Sequence, residues 1–197
     1  MSKQVIISIG REFGSGGHEI AQKLSERFEL PLYDYNLLRE IASQKNVNLS
    51  NLAPYDEVPK KGFSSRTVRG FNNSPQLNIA YMQFDFLKKK AEEGESFVVV
   101  GRCSEEVLKE YEGLITIFVL GDMDKKIERI KRIYNLSDRE AADLIERQSK
   151  KRKAYHNYFC EKKWGDSRNY ELSINSSKLG EEATTDMIED YIRRRIK

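Results

Sequence analysis

Of 197 residues only two are cysteines, Cys103 and Cys160, and only two are histidines, His18 and His156. Two widely separated thiols make neither a disulfide framework nor a metal-ligand spacing. Cys103, near the end of an apolar run, reads as a small packed residue rather than a nucleophile. His156 sits within a helical stretch and takes no role, since a lone histidine is more often packed or solvated than a base. Proline is also scarce, and three of the four (Pro54, Pro59, Pro75) fall within residues 46–78. No apolar run approaches the length of a membrane-spanning helix, and no charged-then-apolar segment opens the chain, so the expectation is a cytoplasmic protein without a membrane partner. Internal repeats and low-complexity tracts are missing. Net charge is only +3, with 33% charged and 39% hydrophobic residues. At this length that balance predicts one domain, residues 1–197, with a substantial core.

What is present begins at Val5-Ile6-Ile7-Ser8-Ile9, a β-branched run with the pattern of a strand buried on both faces. It leads into Gly10-Arg11-Glu12-Phe13-Gly14-Ser15-Gly16-Gly17, and then Ile20, Ala21, Leu24 and Phe28 recur at helical spacing. Strand, glycine loop and helix together lay backbone N–H groups around an anion at a helix N-terminus. Glycines serve there because they accept positive φ and keep Cβ atoms away from a phosphate. Gly14, Ser15, Gly16, Gly17 and His18 are therefore the candidate phosphate cradle. An ordinary glycine-rich turn has the same composition; the flanking strand and helix favour the cradle.

Further strands are expected at Phe97–Val100, Leu114–Leu120 and Tyr170–Ile174, alternating with helices, which argues for a mostly parallel sheet covered on both faces. Helices are expected after Asp34, over residues 76–93 with Tyr81 among the inner residues, and after Asp122 with Ile127, Ile130 and Ile133 inward. A Ser137–Glu140 capping box starts another. The last, residues 181–197, is expected to bury Ala183, Met187, Ile188, Tyr191 and Ile192. Residues 46–78 lose periodicity and read as a long functional loop. Arg102, at the carboxyl end of a central strand, points to the crevice where open α/β sheets bind ligands.

The loop departs from the regular phosphate-binding motif G-x-x-x-x-G-K-[ST]. Gly17 stands where the lysine belongs, and His18 and Glu19 follow without the hydroxyl residue. The segment REFGSGGHEIA resembles the cytidylate kinase-like family, a divergent branch of bacterial CMP kinases among P-loop nucleoside monophosphate kinases. The resemblance extends over nearly the whole chain and implies an α/β P-loop kinase-like three-layer domain. A mostly parallel central sheet would be flanked by helices, with an acceptor-binding insertion at about residues 35–93 and a helical lid at about residues 137–165. It implies transfer of the ATP γ-phosphoryl group to CMP or dCMP with Mg²⁺, and nucleotides as partners.

On that resemblance Asp34 contacts the nucleoside, although capping a helix is a sufficient role for it. Arg66 or Arg69, with Arg102, would hold the acceptor phosphate, since a guanidinium grips phosphate bidentately. The family pattern has an Asp after the Gly-Arg that here reads Gly101-Arg102, and Cys103 replaces it. Arg129 would meet the donor nucleotide. Arg152 and Arg147 match the basic ends of the lid pattern and would act on the transferred group, with Arg11 supplying the charge the loop lacks. Glu19 is a possible metal neighbour, but beside phosphates its carboxylate repels unless a cation lies between. Two rival readings stay open: a nucleotide-binding protein without turnover, and a small-molecule kinase with another acceptor. The basic stretch at residues 125–163 lacks the aromatic stacking platform of a single-strand binder, so no nucleic-acid partner is expected.

Overall fold

Ile6, Ile7 and Ile9 are wholly buried because their strand, β1 (Ile6–Arg11), lies in the middle of a parallel sheet. The computed structural model describes residues 4–34, 36–45, 67–68, 71–72 and 75–197. Its five-stranded sheet has the order β2-β5-β1-β6-β7, with β2 (Leu32–Tyr33), β5 (Phe97–Val100), β6 (Leu114–Leu120) and β7 (Leu172–Asn175). Every neighbouring pair is parallel, and Ile7 registers with both Val98 and Ile115. A strand so placed meets helices on both faces, which is why its sequence is a continuous apolar run and not an alternating one.

Pleating divides the core in two. Ile6, Phe97, Val99 and Leu114 face α2 (Leu37–Lys45) and α3 (Pro75–Glu92), packing on Leu37, Ile41, Leu87 and Ala91. Ile7, Ile9, Val98, Val100, Ile115 and Ile117 face α1 (Gly17–Phe28) and α7 (Ser176–Arg195), against Ile20, Leu24, Ile188 and Ile192. Each such aliphatic side chain contributes roughly 1.5–3 kcal/mol by leaving water. A two-residue hairpin, β3 (Thr67–Val68) and β4 (Phe71–Asn72), pairs antiparallel apart from this sheet. The remaining elements are α4 (Ser104–Val107), α5 (Met123–Tyr134), α6 (Asp138–Phe159) and a 3-10 turn at Ser167–Asn169.

The capping box forms as the sequence spacing predicts: Glu140 N donates to Ser137 Oγ, and Ser137 N donates to Glu140 Oε2 at 2.9 Å. Several inward assignments are corrected. Tyr81, Ile133 and Met187 are about half exposed, and Ala183 is exposed. In α5 the buried position one turn before Ile130 is taken by Lys126, for a reason given below. The final helix runs from residue 181 as the sequence predicts; Gly180 (φ 76°, ψ 175°) separates it at a kink from a preceding helical turn that starts at Ser176. Thr184 and Thr185 are buried in it beside the expected Ile188 and Ile192, and the threonine hydroxyls donate to Gly180 O and Glu181 O. Asp122 precedes α5 without a side-chain cap bond; its carboxylate accepts from Asn175 Nδ2 at 2.7 Å and Lys178 Nζ at 2.6 Å.

Candidate active site

The sheet's carboxyl edge is where β1 runs into the glycine loop. Glu12 N continues the ladder onto Val119 O, and Ser15 Oγ folds the loop back by donating to Glu12 O at 3.0 Å. Ser176 Oγ then donates to Ser15 O at 2.6 Å, fixing the loop from the far end of the chain. Gly16 (φ 77°) caps α1, whose first helical bond runs from Ile20 N to Gly16 O. The N–H groups of residues 17–19 therefore have no acceptor within the helix and present themselves to an anion. Two glycines stand close against arginines, and Gly16 is required by its left-handed φ. A Cβ on Gly16 would stand 2.9 Å from Arg129 Nη2, and one on Gly17 would stand 2.6 Å from Arg11 Cβ.

Opposite the loop, β5 ends in Gly101, Arg102 and Cys103, with φ of 73°, 62° and 54°. Left-handed backbone at a non-glycine residue costs on the order of 1 kcal/mol, and such strain gathers at ligand sites. The turn buries Arg102, whose Nη2 lies 3.4 Å from the Asp34 carbonyl oxygen. Asp34 does not cap the next helix with its side chain but forms the turn before it: its Oδ1 accepts from Asn36 N at 2.8 Å, ahead of α2, and its carbonyl accepts from Leu37 N at 3.1 Å. Its second carboxylate oxygen, Oδ2, is 3.5 Å from His18 Nδ1.

The loop, this corner and α5 enclose a cavity of about 390 Å³. Arg11, Arg102, Arg129 and Arg152 line it against Glu12, Glu19 and Asp34, together with Gly14, Gly16, Gly17 and His18. The guanidinium of Arg152, reaching in from α6, rests 5.3 Å from the centre of the Phe13 ring, which stacks on Tyr134. Arg129 is paired with Glu181 and, at 3.3 Å, with Glu19. Ser15 is buried and borders a second cavity of about 360 Å³ with Gly14, Arg129, Arg132, Ser177 and Gly180.

Arg147 is not brought to the cavity. It is exposed in a shallow depression with Asp143, Glu146 and Lys150. Five residues separate it from Arg152, which on an α-helix turns the two side chains about 140° apart. Arg66 and Arg69 lie outside the described residues. Among the described residues no group of three or more His, Cys, Asp or Glu side chains is arranged to hold a metal. Glu19 is matched to Arg129 and not to a second carboxylate.

Sequence reasoning overlooked what holds the loop from behind. Lys126 Nζ donates to Glu12 Oε2 at 2.8 Å, and Gly121 N donates to the same oxygen at 3.2 Å. Lys126 lies four residues before Ile130 on the inward stripe of α5, so a lysine in an apolar register was the available signal. Glu181 gave no such signal, since an acid at the start of a helix looks ordinary.

The chain matches the model of the cytidylate kinase-like family over residues 6–178. It is similar, with 40% identity and a TM-score of 0.77, to an uncharacterized protein from Eubacterium ventriosum, over 96% of this chain and 99% of that one. A shikimate kinase from Bacteroides thetaiotaomicron shares the fold at 13% identity and a TM-score of 0.57, covering 96% and 98% of the two chains. A gluconokinase from Sinorhizobium meliloti does so at 10% identity and a TM-score of 0.57, covering 98% and 93%. No curated protein matches the sequence. The fold is that of a P-loop kinase.

Proposed function

We propose that this chain, which belongs to the cytidylate kinase-like family, transfers the γ-phosphoryl group of ATP to CMP or dCMP, with Mg²⁺. The observation that carries this reading is the cradle itself: two glycines whose Cβ atoms would strike Arg129 and Arg11, facing a buried arginine across one cavity. Such transfer needs positioning and charge neutralisation more than covalent chemistry. The N–H groups at the start of α1 would hold the donor phosphates, with Arg11 and Arg129 beside them. Arg102 would place the acceptor phosphate, and Arg152 would neutralise the transferring group. Mg²⁺ would supply further charge neutralisation, held chiefly by phosphate oxygens, since the nearby carboxylate Glu19 is engaged by Arg129. Among the described residues no helix is long and apolar enough to cross a membrane.

One observation favours a second reading, an acceptor that offers a hydroxyl. A nucleotide phosphate is already ionised and needs no base, whereas an alcohol gains from a nearby carboxylate or imidazole. Asp34 and His18 stand 3.5 Å apart in the cavity wall. A coupled assay of ATP consumption with Mg²⁺, across CMP, dCMP, UMP, AMP, GMP and small hydroxy acids, separates the readings. Turnover with CMP or dCMP supports the first and turnover with a hydroxy acid the second. Silence with all of them, while ATP still raises the melting temperature, means binding without transfer.

A further inference from the structure

His156, to which the sequence assigns no role, is buried, and its Nε2 lies 2.7 Å from Glu105 Oε1. Each of these two side chains keeps less than a tenth of its full exposure. Tyr170 OH donates to the same carboxylate oxygen at 3.3 Å, and His156 Nδ1 lies 3.3 Å from Asn157 Oδ1. None of these groups lines the candidate active site. Burial pushes the imidazole down, but hydrogen bonds, the one to Glu105 among them, outweigh it and hold His156 at about 10. At neutral pH the ring is therefore an imidazolium.

Each partner belongs to a segment that brings an arginine to the cavity. Glu105 stands in α4, three residues after Arg102. Its neighbour Ser104 anchors that turn, with Oγ donating to Gly101 O at 2.8 Å and lying 2.7 Å from Ser8 Oγ of β1. His156 stands in α6, four residues after Arg152. Four residues turn a helix by about 40° beyond a full circle, so His156 and Arg152 share a face. The nine residues from Arg147 to His156 leave those two about 180° apart. With His156 turned to Glu105, Arg152 falls on the cavity side and Arg147 on the far side, where the structure has them. Ala141 and Ile145 pack the first half of α6 with Ile130, and Tyr155 packs the second half with Phe84. Apolar contacts are non-directional and set how deep a helix lies, whereas a short hydrogen bond sets its rotation.

We infer that Glu105 and His156 are a positioning pair for phosphoryl transfer: their hydrogen bond fixes the rotation of α6 against the Arg102 turn, and so holds Arg152 and Arg102 in one geometry across the cavity. This rests on the roles proposed above for the two arginines. Neither member of the pair touches substrate; each acts through the arginine of its own segment. Transfer of this kind depends on placement, and a misplacement of about 1 Å costs on the order of 10²-fold in rate.

The test measures kcat and KM of the full-length protein with the acceptor that the substrate panel identifies. Glu105→Ala and His156→Ala should each lower kcat by about 10²-fold. The double variant should be no slower than either, because its second change removes a bond already lost. The rise in melting temperature with ATP should stay at the wild-type value, since the glycine loop is untouched. Glu105→Gln and His156→Gln, which keep a hydrogen-bonding atom, should recover part of the loss. Unchanged kcat in folded alanine variants, or losses that multiply in the double variant, overturn the inference. So does a fall in kcat matched by loss of the ATP effect, the mark of general destabilisation. Where an alanine variant does not fold, the glutamine variants decide, and wild-type kcat in both overturns the pair. If the wild type turns over no acceptor, the reading of function has failed, and hydrogen exchange judges the pair separately. Glu105→Gln should then speed exchange in residues 101–108 and 152–160 together; acceleration in one segment alone, or in neither, overturns it.

Discussion

Lys126 Nζ lies 2.8 Å from Glu12 Oε2, so a buried lysine of α5 neutralises a carboxylate of the glycine loop. The pair braces the backbone between Arg11 and Gly14. Replacing Lys126 by Met should leave Glu12 without its cation and cost about 2 kcal/mol in urea unfolding, less than a fully buried pair costs to break because Glu12 is partly exposed. The variant should also lose most ATP-induced thermal stabilisation. Wild-type values for both would mean that the pair is incidental to the loop.

Gly17→Ala tests the cradle by shape alone. Gly17 has ordinary helical φ, and the added methyl would meet Arg11 Cβ at 2.6 Å, an atom close to the backbone that cannot swing aside. A loss of roughly 1–3 kcal/mol is expected from the overpacking, with nucleotide binding weakened further. Gly94→Ala is a useful contrast, since nothing stands within 4 Å there and only its φ of 78° opposes the change. Equal effects on nucleotide affinity would remove the steric argument.

Arg102→Ala should lower kcat/KM for the acceptor by roughly 10²–10³, the scale of one lost charge-stabilising donor. Arg102→Lys should recover only part, because an ammonium cannot grip phosphate bidentately. Unaltered kinetics in both variants would take Arg102 out of the site.

The acceptor class can be read from Asp34→Asn. With a hydroxyl acceptor, losing the carboxylate should reduce kcat by about 10²–10⁴, the usual contribution of a general base. With a phosphate acceptor the change should fall mainly on KM, since the hydrogen bond from Asn36 N survives in the amide. His18→Gln should follow the same pattern more weakly.

His156 offers a pH test of the buried cluster. Its folded value lies near 10 against an ordinary 6.5, so the contribution it makes to stability is complete below about pH 6.5 and is lost as pH rises through 10. Its ring resonances in NMR should show no titration between pH 6 and 8. Glu105→Gln should bring that titration down towards neutrality, and an unshifted midpoint would sever the link to Glu105.

The sheet was legible in the sequence because doubly covered strands must be apolar runs, and Phe97–Val100 and Leu114–Leu120 have no other stable use. The glycine loop and Arg102 were legible for a related reason, since both stand at strand ends whose place in the sheet is determined. The helical arginines were harder. Arg147 and Arg152 are chemically equal in the sequence, and only the packing of α6 decides which of them meets the cavity. The Glu105–His156 pair and Glu181 were illegible, because contacts between distant segments leave no local pattern.

The hydroxyl of Ser176 on Ser15 O, and Glu181 on Arg129, have a consequence for how the protein is made. A ribosome releases the glycine loop more than a hundred and fifty residues before its two tethers. Until α7 emerges, the loop lacks its rear hydrogen bond, and helix α1 lacks the Arg27 clasp to Asp186 and Glu189. The anion cradle is thus synthesised well before the segments that make it rigid, so a nascent chain stays without a competent phosphate site until α7 follows the loop.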